Sequence, residues 1–114
     1  VTMDYAYTHQ GSRHNLLGRD TSQSKVDEYS NESQVTSLTP PAIMLLSDDD
    51  TAVPSPNSVN YYMALKRAKV PATMHIYPSG GHGWGCRENF KFHNEMMADL
   101  KAWLGVMRNK LDNK

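Results

Sequence analysis

The run Ala42-Ile43-Met44-Leu45-Leu46-Ser47 constrains this chain more than any other stretch. It is almost wholly apolar, follows Pro40-Pro41 and runs into Asp48-Asp49-Asp50. A short unbroken apolar run between breakers reads as a strand buried on both faces, the pattern of a parallel sheet. Ala72 to Tyr77 alternates and is rich in β-formers, which gives a second strand. Between them the sequence predicts a helix over residues 56–69. Ser55 would cap it, Pro56 sits in its first turn, and Val59, Tyr62, Met63 and Leu65 supply an apolar face. Lys66, Arg67 and Lys69 gather where they complement the helix dipole, and Pro71 stops the run. Strand, helix and strand make a βαβ unit, whose crossover is expected to be right-handed. Two strands buried on both faces need neighbours. The expectation is therefore an α/β fold of which this chain is the C-terminal segment, residues 1–114 forming part of one domain.

The flanking stretches are less periodic. Val1-Thr2-Met3 reads as the tail of a strand. Residues 4–20 carry Tyr5, Tyr7, His9, His14 and Leu16-Leu17 without a period, and read as a structured loop. A short helix is expected near 22–31, capped by Ser22 or Ser24, with Val26 and Tyr29 inward. Val35 to Pro41 reads as an extended approach, because the residue before proline avoids the helical region. A long amphipathic helix is expected near 88–109, where Met96, Met97, Leu100, Trp103, Leu104 and Met107 recur at three- and four-residue steps. Apolar residues concentrate after Pro40, so the N-terminal third must lie over something else to be ordered.

Composition narrows the partners. The 114 residues carry 12 basic and 12 acidic side chains, a balance that leaves no basic stripe for nucleic acid or an anionic membrane. No apolar run approaches the roughly 20 residues of a membrane helix. The single cysteine, Cys86, excludes an internal disulfide framework and leaves the compartment undecided. The chain opens on Val1 rather than methionine, so it reads as cut from something longer.

Chemistry is expected at one edge. Tyr77-Pro78-Ser79-Gly80-Gly81-His82-Gly83-Trp84-Gly85 holds a histidine among glycines just past the second strand. Three carboxylates follow the first strand; such a triplet taken alone is a solvated loop or a helix-start decoration. The crossover, however, brings an acid past one strand and a histidine past the next to the same sheet edge. That is the arrangement of an acid–histidine pair, in which the carboxylate orients the imidazole and stabilises its cation.

Asp50-x-x-Val53-Pro54, the helix, the strand ending in Tyr77-Pro78 and then Gly81-His82-Gly83 resemble the C-terminal part of serine α/β-hydrolases. The likeness is to the acetyl-xylan and carbohydrate esterase-like group, related to the prolyl-oligopeptidase-type hydrolases. Gly11-Ser12-Arg13-His14-Asn15-Leu16-Leu17-Gly18 is also similar to a segment of those esterases. The resemblance implies that Asp50 is the triad acid and His82 the general base, and that Asp48 and Asp49 hold no catalytic position, Asp48 helping to end the strand. It implies a carbohydrate-ester or small-molecule ester substrate and no cofactor. Arg13, His14 and Trp84 are candidates for lining a substrate pocket. The family order is serine, acid, histidine, yet no G-x-S-x-G occurs, and Ser12, Ser47, Ser55 and Ser79 lack a strand-to-helix elbow. The chain alone is therefore expected to be inactive, with a homo-oligomer through its exposed sheet edge as one way to cover that edge. Two alternatives stay open: the C-terminal segment of a prolyl-oligopeptidase-type peptidase, and a non-catalytic remnant or interaction module. His82, Cys86 and His93 offer too few convergent ligands for a zinc site. Cys86 reads as a buried or idle thiol, His75 as packed within its strand, His93 as an edge residue beside the last helix's apolar face, and Trp103 and the paired methionines as core of that helix.

Overall fold

A computed structural model of the chain describes residues 2–112. Its elements are α1 (Gln10–Leu17), α2 (Gln23–Tyr29), a 3-10 turn (Asn31–Ser33), β1 (Ala42–Ser47), α3 (Pro56–Arg67), β2 (Ala72–Tyr77) and α4 (His93–Asp112). They fall into two compact units, Val1–His82 and Gly83–Lys114.

In the first unit β1 and β2 pair in parallel, from Ala42 with Ala72 to Ser47 with Tyr77. Both strands lie where the sequence predicts them, and α3 crosses between them and lies against both. The ladder ends in buried residues, Ser47 and Tyr77, and one further bond extends it, Asp48 N–H donating to the Tyr77 carbonyl at 2.8 Å. Most strand residues are only half-buried and Ile76 is exposed, so the full burial their composition suits is not met within these residues.

Helix α3 stops two residues earlier than predicted. Lys69 adopts φ +60°. Its N–H donates to the Lys66 carbonyl at 3.1 Å, and Val70 N–H reaches back to Leu65 at 2.9 Å. This pair of bonds is a Schellman closure, with Lys69 in the left-handed position that glycine normally fills. Leu65 and Val70, at the two ends of the longer bond, are both buried. Ser55 precedes the helix but makes no side-chain capping bond. Of the predicted apolar face Leu65 is buried, whereas Met63 is exposed; Asn57 and Ala64 are the other buried positions.

Asn57 anchors the N-terminal stretch. Its Oδ1 accepts from Thr2 N–H at 3.1 Å, and its amide nitrogen donates to the carbonyls of Tyr7 and Pro54. Met3 N–H donates to Ser30 Oγ at 2.9 Å. Val1 lies outside the described residues. Thr2 and Met3, expected as a strand tail, are not in a strand, because their N–H groups go to side chains rather than to a neighbouring strand. The N-terminal third does lie over something: Thr2, Met3, Thr8, Leu17 and Ser30 are all buried.

Two further expectations are corrected. Residues 10–17 form a helix, not a loop. His9 caps it, its Nδ1 accepting from Ser12 N–H at 3.2 Å, and Gly18 closes it at φ +61° with its N–H on the His14 carbonyl. A ring nitrogen does here what a serine or aspartate oxygen usually does. The approach to β1 is broken by a turn in which Thr39 N–H donates to the Thr36 carbonyl, leaving Leu38 exposed at the tip. Helix α2 begins after Ser22, as expected, with Val26 half-buried and Tyr29 exposed.

In the second unit α4 starts at His93, later than predicted. Residues 84–93 turn repeatedly instead: Arg87, Phe90 and His93 N–H groups each donate three residues back, and His93 Nδ1 bonds the Arg87 carbonyl at 3.1 Å. Trp84 and Phe90 stack within this turn, centroids 4.1 Å apart and 1° from parallel. Along α4, Met96 is buried and Leu100, Trp103 and Met107 are half-buried, a four-three-four stripe. Met97 and Leu104 stand outside that stripe and are exposed.

Two substitutions test this account by denaturant unfolding. Asn57→Ala strips partners from the Thr2 amide and two carbonyls and should cost about 3 kcal/mol. Lys69→Gly relieves a left-handed side chain and should raise stability by roughly 0.5–1 kcal/mol.

Candidate active site

Equal strand lengths and a constant offset set the site. Because Ser47 pairs with Tyr77, residues 48–50 and 78–82 leave the sheet side by side. Asp50 and His82 meet there: His82 Nδ1 lies 2.8 Å from Asp50 Oδ2. An ionised carboxylate can only accept, so Nδ1 carries the proton and donates. The Asp50 side chain is 11% exposed and that of His82 is 55% exposed. One partner is thus sheltered and fixed, while the other presents its ring to the surroundings.

The remaining oxygen of Asp50 is also occupied. Oδ1 accepts from Val53 N–H at 2.9 Å and Ala52 N–H at 3.0 Å, so the carboxylate folds back over the turn that leads into α3. Burial by itself pushes the Asp50 carboxyl up. The bonds from the Val53 amide, the His82 ring and the Ala52 amide outweigh it and hold the group below the ordinary carboxylate range. The geometry therefore keeps Asp50 ionised, the state in which it can orient an imidazole and stabilise its cation.

The other two aspartates separate from Asp50. Asp48 is exposed, lies one residue past β1, and through its backbone N–H adds one further bond to the ladder. Asp49 has a role that the sequence reading missed. Its Oδ1 accepts from Gly81 N–H at 2.8 Å and its Oδ2 from Gly80 N–H at 3.2 Å. Both amides lie immediately before His82. Gly81 and Gly83, on either side of the histidine, take φ +61° and +74°, and nothing lies within 4 Å of where a Cβ would stand at either. Glycine is required there for its backbone conformation, not for room. The signal that would have found Asp49 is the strand register: an offset of 30 puts residue 49 beside residues 79–81.

Arg13 donates from Nε to the Met3 carbonyl at 2.9 Å, and its guanidinium sits over the Tyr5 ring at 5.7 Å. His14 is exposed on α1. Among the described residues no hydrogen bond joins either to Asp50 or His82. Trp84 belongs to the second unit, where Phe90 covers one of its faces. Cys86 is an exposed free thiol, and no group of three metal-ligating side chains converges among the described residues. No described helix is long and apolar enough to cross a membrane.

The depressed Asp50 value has a defined consequence for pH. Its folded value lies below the unfolded one, so its contribution to stability is complete above about pH 4. That contribution is lost as pH falls through the lower, folded value. A carbon-13 titration of the Asp50 carboxyl should show a midpoint below the ordinary carboxylate range, and Asp50→Asn should flatten the acid limb of stability against pH.

The chain is similar to several known proteins. Residues 2–109 match the prolyl oligopeptidase family. An acetylxylan esterase of Xylanibacter ruminicola is 37% identical over 108 residues, which are 91% of this chain and 22% of that protein. The endo-1,4-beta-xylanase B of Butyrivibrio fibrisolvens is 35% identical over 77 residues, 68% of this chain and 12% of that one. The crystal structure of an acetyl ester-xyloside bifunctional hydrolase from Caldicellulosiruptor lactoaceticus superposes with a TM-score of 0.87 at 32% identity, covering 94% of this chain and 39% of that one. The chain spans less than a quarter of each of the two sequence relatives. Its parallel βαβ unit thus sits in an α/β-hydrolase context, and the chain belongs to the prolyl oligopeptidase family.

Proposed function

We propose that these 114 residues are the C-terminal part of a serine-hydrolase domain, and that they supply the acid and the histidine of its catalytic triad. The observation that carries this reading is the 2.8 Å bond from His82 Nδ1 to Asp50 Oδ2, made by a sheltered carboxylate to a half-exposed ring. Fixing the proton on Nδ1 leaves Nε2 with its lone pair, the form a general base needs.

In that mechanism a serine from outside this stretch attacks an ester carbonyl. His82 Nε2 takes the hydroxyl proton as the new C–O bond forms, and Asp50 stabilises the resulting imidazolium. The proton then passes to the leaving alkoxide as the ester C–O bond breaks, leaving an acyl-serine. Water repeats the sequence, with His82 again as base, and releases the acid. The nucleophile belongs outside these residues because no serine here follows G-x-S-x-G. The two compact units are then consecutive pieces of one hydrolase domain.

The substrate class rests on the relatives. Two of them are named for acetyl-ester or acetylxylan hydrolysis and one for xylan cleavage. This supports an ester hydrolase acting on acetylated xylan-type carbohydrate. Within that proposal Trp84 remains a candidate substrate contact by residue type, since an indole suits a sugar or acyl group. Arg13 and His14 are weaker candidates for the pocket, Arg13 being tied to Met3 and Tyr5.

In the enzyme that carries this chain, His82→Ala should lower kcat on an acetyl ester by about 10⁴-fold or more, with the circular dichroism spectrum unchanged. Fluorophosphonate should label the unmodified enzyme at a serine. Turnover near normal in His82→Ala would rule the triad out. Failure to label, together with no esterase activity, would favour a non-catalytic module, and cleavage of proline-containing peptides in place of acetyl esters would favour a peptidase.

A further inference from the structure

Three consecutive aspartates do three different things at this edge. Asp48 extends the ladder to Tyr77 through its backbone. Asp50 holds the ring of His82. Asp49 lies between them in sequence, and its carboxylate spans the two peptide N–H groups immediately before the histidine, at 2.8 Å to Gly81 and 3.2 Å to Gly80.

That placement matters because of what the loop is made of. Gly80, Gly81 and Gly83 all have positive φ, and glycine has the widest range of backbone states of any residue. A glycine-rich loop left to itself would let the histidine sample many positions. Only some of these bring Nδ1 within hydrogen-bond reach of Asp50. Gly80, His82 and Gly83 are exposed and Ser79 and Gly81 only half-buried, so packing alone does not restrain the loop fully. A carboxylate accepting two adjacent amides fixes both the position and the orientation of that peptide pair. Bonds to a charged acceptor are about twice as strong as neutral ones.

We infer that Asp49 is a positioning residue: its carboxylate clamps the Gly80 and Gly81 amides and so sets His82 in register with Asp50. It touches neither the imidazole nor any reacting atom, and acts through the loop backbone. The inference deepens the triad reading and rests on it for its catalytic consequence. The structural part, that Asp49 sets the His82–Asp50 bond, can be tested without turnover.

The first readout is the tautomer of His82, followed by nitrogen-15 NMR at about pH 9, above the ordinary histidine range. In the unmodified protein the ring should be in the Nδ1–H form, held by Asp50. Asp49→Ala removes both acceptors and should shift the ring toward the Nε2–H form that an unrestrained histidine side chain favours. The Gly80 and Gly81 amides should lose their protection from hydrogen exchange. Asp49→Asn keeps one acceptor oxygen and should fall between the two. The second readout is turnover in the enzyme that carries the chain. There Asp49→Ala should lower kcat by about 10- to 100-fold, as expected for a misplaced catalytic group, and leave KM nearly unchanged.

Retention of the Nδ1–H form in Asp49→Ala overturns the inference, even if Tm falls, because Asp49 would then serve stability alone. So does an unchanged kcat in an enzyme whose turnover His82→Ala abolishes. If His82→Ala leaves turnover intact, it is the triad reading that fails, and the tautomer measurement still decides whether Asp49 positions His82.

Discussion

The parallel register of β1 and β2 is the constraint on which the rest of this edge depends. Ala42 opposite Ala72 and Ser47 opposite Tyr77 make two strands that begin together and end together. Because the chains leave the sheet side by side, short side chains are enough to bridge them. Asp49 reaches amides 31 and 32 residues on, and Asp50 reaches a ring 32 residues on. Shifting the pairing by one residue would turn every side chain of a strand to the opposite face. It would also move Asp50 about 3.3 Å along the strand direction, beyond what a bond of 2.8 Å can absorb.

Adjacent carboxylates repel, and the chain offsets that repulsion by giving Asp49 and Asp50 separate donors. Asp50 draws on the amides of Ala52 and Val53 as well as on His82. Asp49 draws on Gly80 and Gly81. Among the described residues neither is paired with a lysine or arginine. Peptide N–H groups are fixed in place and need no side-chain ordering, so they can hold a carboxylate ionised beside a histidine without adding a competing cation. A lysine in the same position would also hold Asp50 charged, but would oppose formation of the imidazolium by like-charge repulsion.

What could be read from the sequence was whatever repeats. The two strands, α3 and most of α4 follow from periodicity and breakers; that an acid and a histidine share one edge follows from where those strands end, while Asp50 among the three aspartates is what the resemblance implies. The missed features depend on a single side chain meeting a backbone group. Helix α1 hangs on a histidine cap and Gly18, neither of which produces an apolar period. Asn57 looks like an ordinary polar residue in a first turn, and its burial becomes visible only when Thr2 and Tyr7 are laid against it. Lys69 gives no hint of positive φ, since lysine at a helix end already has an electrostatic reason to be there. The apolar side of α4 was read too broadly because Met97 and Leu104 fit a three- and four-residue step as well as Met96 and Trp103 do. Burial separates them.

The glycines around His82 show why a clamp and a flexible loop belong together. Gly81 and Gly83 must be glycine because their φ is positive, yet open space surrounds both. Ordering such residues costs more conformational entropy than ordering any others. A loop of this composition can place a histidine at a sheet edge only if something local offsets that cost. Packing does so only in part, because Gly80, His82 and Gly83 are exposed and Ser79 and Gly81 no more than half-buried. The hydrogen bonds that Asp49 accepts from Gly80 and Gly81 lie where the entropy is lost, and the bond from His82 to Asp50 lies one residue further. The acid pair is therefore a single device in two parts: Asp50 fixes the chemistry of the ring, and Asp49 fixes the chain that carries it.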